Sequence, residues 1–241
     1  MNGPGITSNG TLAESVVGMQ RVHVQRTARY YTLGKLDANV KELWFVLHGY
    51  GQLAQYFIRY FLPLNDGTRF FVAPEGLSRF YLDDKYDRVG ASWMTREDRA
   101  QEIDDQSAFL TQVFENIWSN VHPKTPVNIL GFSQGTATAF RWVCGGDVKF
   151  DNLILWGGAI PLDYANIAPG LFSTRRLFLA MGSKDPYLTP ERVDTQRKAI
   201  EKAKLPHYLL NYEGAHTIPE EALLEMVDLL SGRVEKSSRL A

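Results

Sequence analysis

Short continuous apolar runs, separated by longer stretches with helical spacing, recur along the chain from residue 21 onward. The run at 43–47, Leu43, Trp44, Phe45, Val46 and Leu47, offers no polar residue to either face of an extended strand. Such a run is expected where a strand is covered on both sides. Similar runs stand at 70–72, 127–130, 153–156 and 177–180, with a last strand near 208–212. Between most of them lie amphipathic stretches at about 54–62, 99–118, 135–144, 190–203 and 219–231, long enough to carry the chain between parallel strands. Two earlier strands, at about 21–25 and 28–33, place His23 and Tyr30 in period-two patterns and are expected to pair as antiparallel edge strands. The alternation predicts one α/β domain, with a mostly parallel twisted sheet and helices on both faces.

Composition narrows the setting. The 241 residues are 44% hydrophobic and 22% charged, ordinary for a globular chain. Twenty-six Lys and Arg face 27 Asp and Glu, for a formal net charge of -1, which gives no general pull towards nucleic acid or an anionic membrane. Residues 1–18, rich in Gly, Ser, Asn and Thr, lack hydrophobic periodicity and read as a disordered leader or a cloning remnant, with Met19 a plausible start. The folded domain is therefore expected over 19–241. No apolar run approaches the ~18 residues of a membrane span. A single cysteine, Cys144, in an apolar helix reads as a buried thiol acting as a small hydrophobe, and the cytoplasm is the expected location.

Candidate chemistry enters at Gly131, Phe132, Ser133, Gln134 and Gly135. The G-x-S-x-G pattern alone is a weak signal, but here it joins an apolar strand to a helical run. That setting is what a nucleophile elbow requires: small residues two before and two after the serine relieve crowding while its hydroxyl is held exposed in a strained turn. A serine hydroxyl is a weak nucleophile at neutral pH, so it needs a histidine base and an acid to orient that base. His216, in the loop Glu213, Gly214, Ala215, His216 after the last strand, is the expected base, whereas His207 opens that strand. Asp185, just beyond the run at 177–180, is the expected acid and satisfies the order Ser, Asp, His. Asp163 is its rival, and Asp84, Asp104 and Asp105 precede the serine.

An anionic tetrahedral intermediate also needs two donors already aimed at its oxygen. The Gln134 N–H and, in the loop His48, Gly49, Tyr50, Gly51, the Tyr50 N–H are the expected pair. His48 is assigned to shaping that turn through backbone hydrogen bonds rather than to proton transfer.

Taken together these segments resemble the phospholipase/carboxylesterase family of the α/β-hydrolase fold, which includes bacterial carboxylesterases and acyl-protein thioesterases. The resemblance spans about 40–230 and rests on Leu47, His48, Gly49 and Gly51, the Gly131 to Gly135 elbow, Gly182 with Asp185 and Pro186, and Gly214 with His216. The chain departs from the family where Tyr50, Gly51, Gln52 replaces the usual Leu-Gly-Asp, and where Trp93, Met94, Thr95 replaces a Trp-aromatic-Asp segment. The resemblance implies hydrolysis of small acyl esters or thioesters without a cofactor, often by a homodimer, and lies nearer the bacterial esterase branch.

Tyr50, Trp93, Met94, Trp156, Tyr187 and Leu188 lie on segments that could line a pocket at the same sheet edge. The histidines are scattered without metal-ligand spacing, and no Gly-rich phosphate loop is present. The short segment after 153–156 leaves little room for a cap, which favours short to medium acyl chains. The alternatives are thioesterase or lysophospholipase activity, perhydrolysis, lactone opening or peptide cleavage on the same residues, or a binding protein that no longer turns over.

Overall fold

The computed structural model describes residues 18–146, 148–161 and 170–233. The chain enters the sheet with β1 (Tyr30–Leu33) and β2 (Glu42–Leu47), leaves through α1 (Ala54–Phe57) and a 3-10 stretch (Ile58–Leu64), and returns as β3 (Arg69–Pro74). A hairpin of β4 (Ser78–Tyr81) and β5 (Val89–Ser92) leads to α2 (Arg99–Trp118), β6 (Val127–Phe132), α3 (Gln134–Gly145) and β7 (Asn152–Trp156). The chain ends with β8 (Arg176–Gly182), α4 (Pro190–Lys202), β9 (Tyr208–Tyr212) and α5 (Glu220–Leu230). Seven strands form one sheet in the order β1, β3, β2, β6, β7, β8, β9, in which only β1 runs antiparallel to its neighbour.

The unbroken apolar strands are explained by two buried faces. Leu43, Phe45 and Leu47 of β2 pack in a core with Leu110 and Val113 of α2 and with Phe140 and Trp142 of α3. The alternate residues Trp44 and Val46 join Phe57, Phe61, Leu223 and Met226, from α1, the 3-10 stretch and α5. Because successive side chains point to opposite faces, one strand feeds both cores. The result is helix, sheet, helix. It aligns the C-terminal ends of the parallel strands along one edge, where the loops collect.

Three expectations change. The strand at 21–25 is not formed: Val22 and Val24 are exposed, and β1 pairs with β3 instead. Alternation alone gave that segment no surface to bury against. The stretch 54–62 is one short α-helical turn that tightens into a 3-10 helix containing Pro63, which lacks an N–H to continue the α-helical ladder. The β4–β5 hairpin was not anticipated, since its strands are four residues each and flank a charged turn. It is held by tertiary contact: Gly51 N–H donates to Ala91 O at 2.9 Å and Ala91 N–H to Gln52 O at 3.2 Å. Residues 1–17 of the expected leader at 1–18, Asp163, and the stretch 162–169 of the segment expected to lack a cap lie outside the described residues.

Candidate active site

Ser133 occupies the turn between β6 and α3 with φ 54° and ψ -115°, a conformation unusual for a residue with a side chain. The strain is imposed by close packing on both sides. A Cβ on Gly131 would stand 2.3 Å from Gly135 O, and one on Gly135 would stand 2.3 Å from Leu47 O, so neither position admits a side chain. The Ser133 N–H donates to Trp156 O at 2.9 Å, which ties the turn to the end of β7.

The two other expected residues meet beside it. His216 Nδ1 lies 2.7 Å from Asp185 Oδ2, with the carboxylate fully buried and the imidazole mostly so. Asp185 Oδ1 accepts the Tyr187 N–H at 2.9 Å, so both carboxylate oxygens are engaged. Donation from Nδ1 leaves Nε2 with its lone pair free for a proton. The loops carrying acid and base are stitched together, Ser183 N–H to Tyr212 O and Lys184 N–H to Gly214 O, each at 2.9 Å. Phe132, next to Ser133, packs its ring 4.8 Å from that of His216. Gly157 fills the remaining gap; a Cβ there would stand 3.3 Å from the His216 ring and 3.4 Å from Asp185 Oδ2.

The loop 48–52 lies against the serine turn, and a Cβ on Gly49 would be 3.1 Å from Ser133 Cβ. The Tyr50 and Gln134 N–H groups have no protein acceptor among the described residues. His48 is wholly buried and shapes this loop: Nδ1 donates to Gly49 O at 2.7 Å, while Nε2 accepts the Gly76 N–H at 3.0 Å. Burial holds its pKa down to about 4, so the ring is neutral near pH 7. Glu75, a buried carboxylate the sequence did not single out, accepts from Arg29 Nε at 2.7 Å and from the Ala54 N–H at 3.2 Å, fixing the chain just after the loop.

A cavity of about 420 Å³ opens onto Ser133 and is walled by Ile160, Met181, Tyr187, Leu188 and Gln196. A larger groove of about 820 Å³ lies between α1 and the hairpin, but Ser133 does not line it. The smaller cavity is therefore the one that bears on chemistry at the serine.

Of the six residues expected on segments lining a pocket, Tyr187 and Leu188 line this cavity. Trp93 and Trp156 do not: both are fully buried. Trp93 stacks on His48 with ring centroids 4.9 Å apart and donates Nε1–H to His48 O at 2.8 Å. Trp156 donates to Thr217 O at 2.9 Å and to Tyr212 Oη at 3.0 Å, anchoring the loop that carries His216. Both are supports rather than walls. Met94 is also displaced, lying against Arg141 with Nη1 3.4 Å from its sulfur. The Tyr50 side chain is exposed and stacks on Phe80 at 5.1 Å. The Gln134 side chain has a task besides its N–H: it accepts from the Trp93 N–H at 3.0 Å and donates to Met94 O at 2.8 Å. Cys144 is half-buried, and desolvation pushes its thiol up to about 12.

The sheet order, the crossovers and the strained serine turn at the strand ends define an α/β-hydrolase fold. Solved structures share it. The chain is similar to a Zea mays acyl-protein thioesterase 2 at 18% identity and TM-score 0.65, over 86% of this chain and 99% of that one. It is similar to a carboxylesterase from Mesorhizobium loti at 19% identity and TM-score 0.65, over 85% and 95%. A third likeness is to a phospholipase/carboxylesterase from Dyadobacter fermentans, at 19% identity and TM-score 0.59, over 88% and 100%. No protein-family profile matches the chain, and no curated protein sequence does. At these identities the likeness establishes the fold.

Proposed function

We propose that this protein is a serine hydrolase that cleaves carboxylic esters of short to medium acyl chains through an acyl-enzyme intermediate. The observation that carries the reading is the 2.7 Å hydrogen bond from His216 to a fully buried Asp185, set beside a serine held at φ 54°. In this reading Ser133 Oγ attacks the ester carbonyl as His216 Nε2 takes its proton. Asp185 holds the imidazole tautomer and stabilises the imidazolium, and the Tyr50 and Gln134 N–H groups receive the oxyanion. His216 then protonates the departing alcohol, and water, activated by the same histidine, releases the acid.

The structural likeness to esterases and to a thioesterase supports an acyl-transfer chemistry. Thioester hydrolysis would use the same groups, so ester and thioester substrates sharing one acyl chain belong in the first assay. Among the described residues no helix is long and apolar enough to cross a membrane, and no cluster of three His, Cys, Asp or Glu is placed to hold a metal ion. Action on small dissolved substrates in the cytoplasm, without a cofactor and in a homodimer, is part of the proposal.

A fluorophosphonate probe tests the reading. One equivalent should add, at Ser133, and none to Ser133→Ala. Labelling that persists in the alanine variant would reject Ser133 as the nucleophile.

A further inference from the structure

Gln196 lies on α4, the helix that follows the Asp185 loop, and forms part of the cavity that opens onto Ser133. It is a buried residue, 5% exposed. Its Oε1 accepts the Ile160 N–H at 2.8 Å, and this bond fixes which end of the amide is which. Nε2, at the other end, is buried without a protein partner among the described residues.

Buried polar groups are almost always paired, so an exception calls for an explanation. Among the described residues, buried side-chain atoms on Arg69, Thr138, Gln196 and His207 lack a partner. Only Gln196 lines the cavity at Ser133. A leucine or methionine at 196 would have given this cavity an apolar surface continuous with Ile160, Met181 and Val193. The side chain is instead an amide whose oxygen is committed to the Ile160 N–H and whose nitrogen is buried without a partner.

We infer that Gln196 selects acyl groups that carry a neutral hydrogen-bond acceptor, a keto oxygen in the first instance, over simple alkyl chains. The inference rests on the reading of Ser133 as the acylated residue. Three features favour an acceptor over a donor and a neutral group over an ion. The unpaired atom is a donor and cannot accept. Glu191 and Arg192 stand together at the same cavity, so no single charge prevails there. Arg192 already donates to Tyr187 O at 3.1 Å. The nitrogen is buried on a residue that lines the cavity, so an acyl chain reaches it through a side-chain rotamer shift at the wall. A chain that only fills space leaves the donor unpaired, whereas one bearing a carbonyl satisfies it. Sites built to hydrogen-bond a substrate discriminate most strongly against analogues lacking the partner group.

The test compares p-nitrophenyl esters of 3-oxo, 4-oxo and 5-oxo acids with alkyl esters of the same length, on wild type, Gln196→Glu and Gln196→Met. Gln196→Glu retains an acceptor for the Ile160 N–H but replaces the free donor by oxygen, so the structural bond and the proposed contact are separated. The oxo-to-alkyl ratio of kcat/KM is read within each variant, which cancels any general loss of activity, and is compared between variants, which cancels any intrinsic reactivity of the oxo ester. Wild type should favour the oxo ester by roughly tenfold or more at one position, relative to Gln196→Met, and Gln196→Glu should lose the preference as well. An equal ratio in wild type and Gln196→Met at every position would overturn the inference and leave Gln196 a support for Ile160 alone. Fluorophosphonate labelling of each variant separates the two levels. Labelling at Ser133 with no oxo preference defeats this inference only, whereas an unlabelled wild type defeats the proposed nucleophile and this inference with it.

Discussion

His216 donates to Asp185 across 31 residues of sequence, Nδ1 to Oδ2 at 2.7 Å, and the accepting carboxylate has no exposed surface. The contact depends on β8 and β9 pairing in parallel, with Gly182 opposite Tyr212, so that the loops after both strands leave the sheet side by side. Glycine at 182 permits this closeness, since a Cβ there would stand 2.5 Å from Gly214 O.

Asp185→Asn should leave the fold intact but lower kcat by roughly 10² to 10⁴, because an amide favours the other imidazole tautomer and cannot stabilise imidazolium. Circular dichroism and steady-state kinetics on the same preparation check it. Asp163→Asn serves as the comparison and should be close to wild type.

Trp93 and Tyr187 should separate support from contact. Trp93→Ala removes a fully buried ring and its bond to His48 O, and should destabilise the protein by about 3–5 kcal/mol in urea unfolding. Tyr187→Ala, at an exposed cavity residue, should change KM with less than about 1 kcal/mol of lost stability.

The pattern of these outcomes follows how legible each residue was. The run Leu43 to Leu47 announced β2 because both faces of that strand meet buried side chains, and the glycines at 131 and 135 announced a crowded turn because their contacts lie close in sequence or on the adjoining strand. The role of Trp93 was not legible, since its burial depends on His48 and Gln134, each more than forty residues away. Gln196 was hidden for the same reason: on a polar helix nothing marks it apart until Ile160 N–H, 36 residues earlier, is seen to hold it. Short strands such as β4 and β5 carry too few residues for periodicity to speak, and docking on Gly51 and Gln52 decides them.

His48 gives stability a pH dependence. Its folded pKa is held at about 4 by burial, below the ordinary value of 6.5, so between these values the unfolded chain binds a proton that the folded chain does not. The stabilisation is complete above pH 6.5 and is lost as pH falls towards 4, by about 3 kcal/mol in all. Denaturant unfolding of wild type and His48→Gln at pH 7, 5.5 and 4.5 measures it. The stability of wild type should fall further than that of the variant across this window, by up to that amount.

The cavity at Ser133 sets the acyl range. With about 420 Å³ available, kcat/KM for p-nitrophenyl esters should rise by up to about fourfold per methylene, the equivalent of ~0.8 kcal/mol, and level off at medium length. The rate should follow simple saturation through the critical micelle concentration, without interfacial activation. A jump at that concentration, or a continued rise to palmitate, would reveal a lid or a longer acyl channel.

The central claim is that an ester is cleaved by transfer of its acyl group to Ser133. Rapid mixing of the enzyme with a p-nitrophenyl ester, followed by acid quench and peptide mass analysis, observes that step directly. The account predicts that a rapid-quench time point yields the peptide containing Gly131 to Gly135 with one acyl group on Ser133. No such adduct should form in Ser133→Ala, and formation should be slowed by at least roughly a hundredfold in His216→Ala. Undiminished turnover by Ser133→Ala, or an acyl group found on another residue, would contradict it.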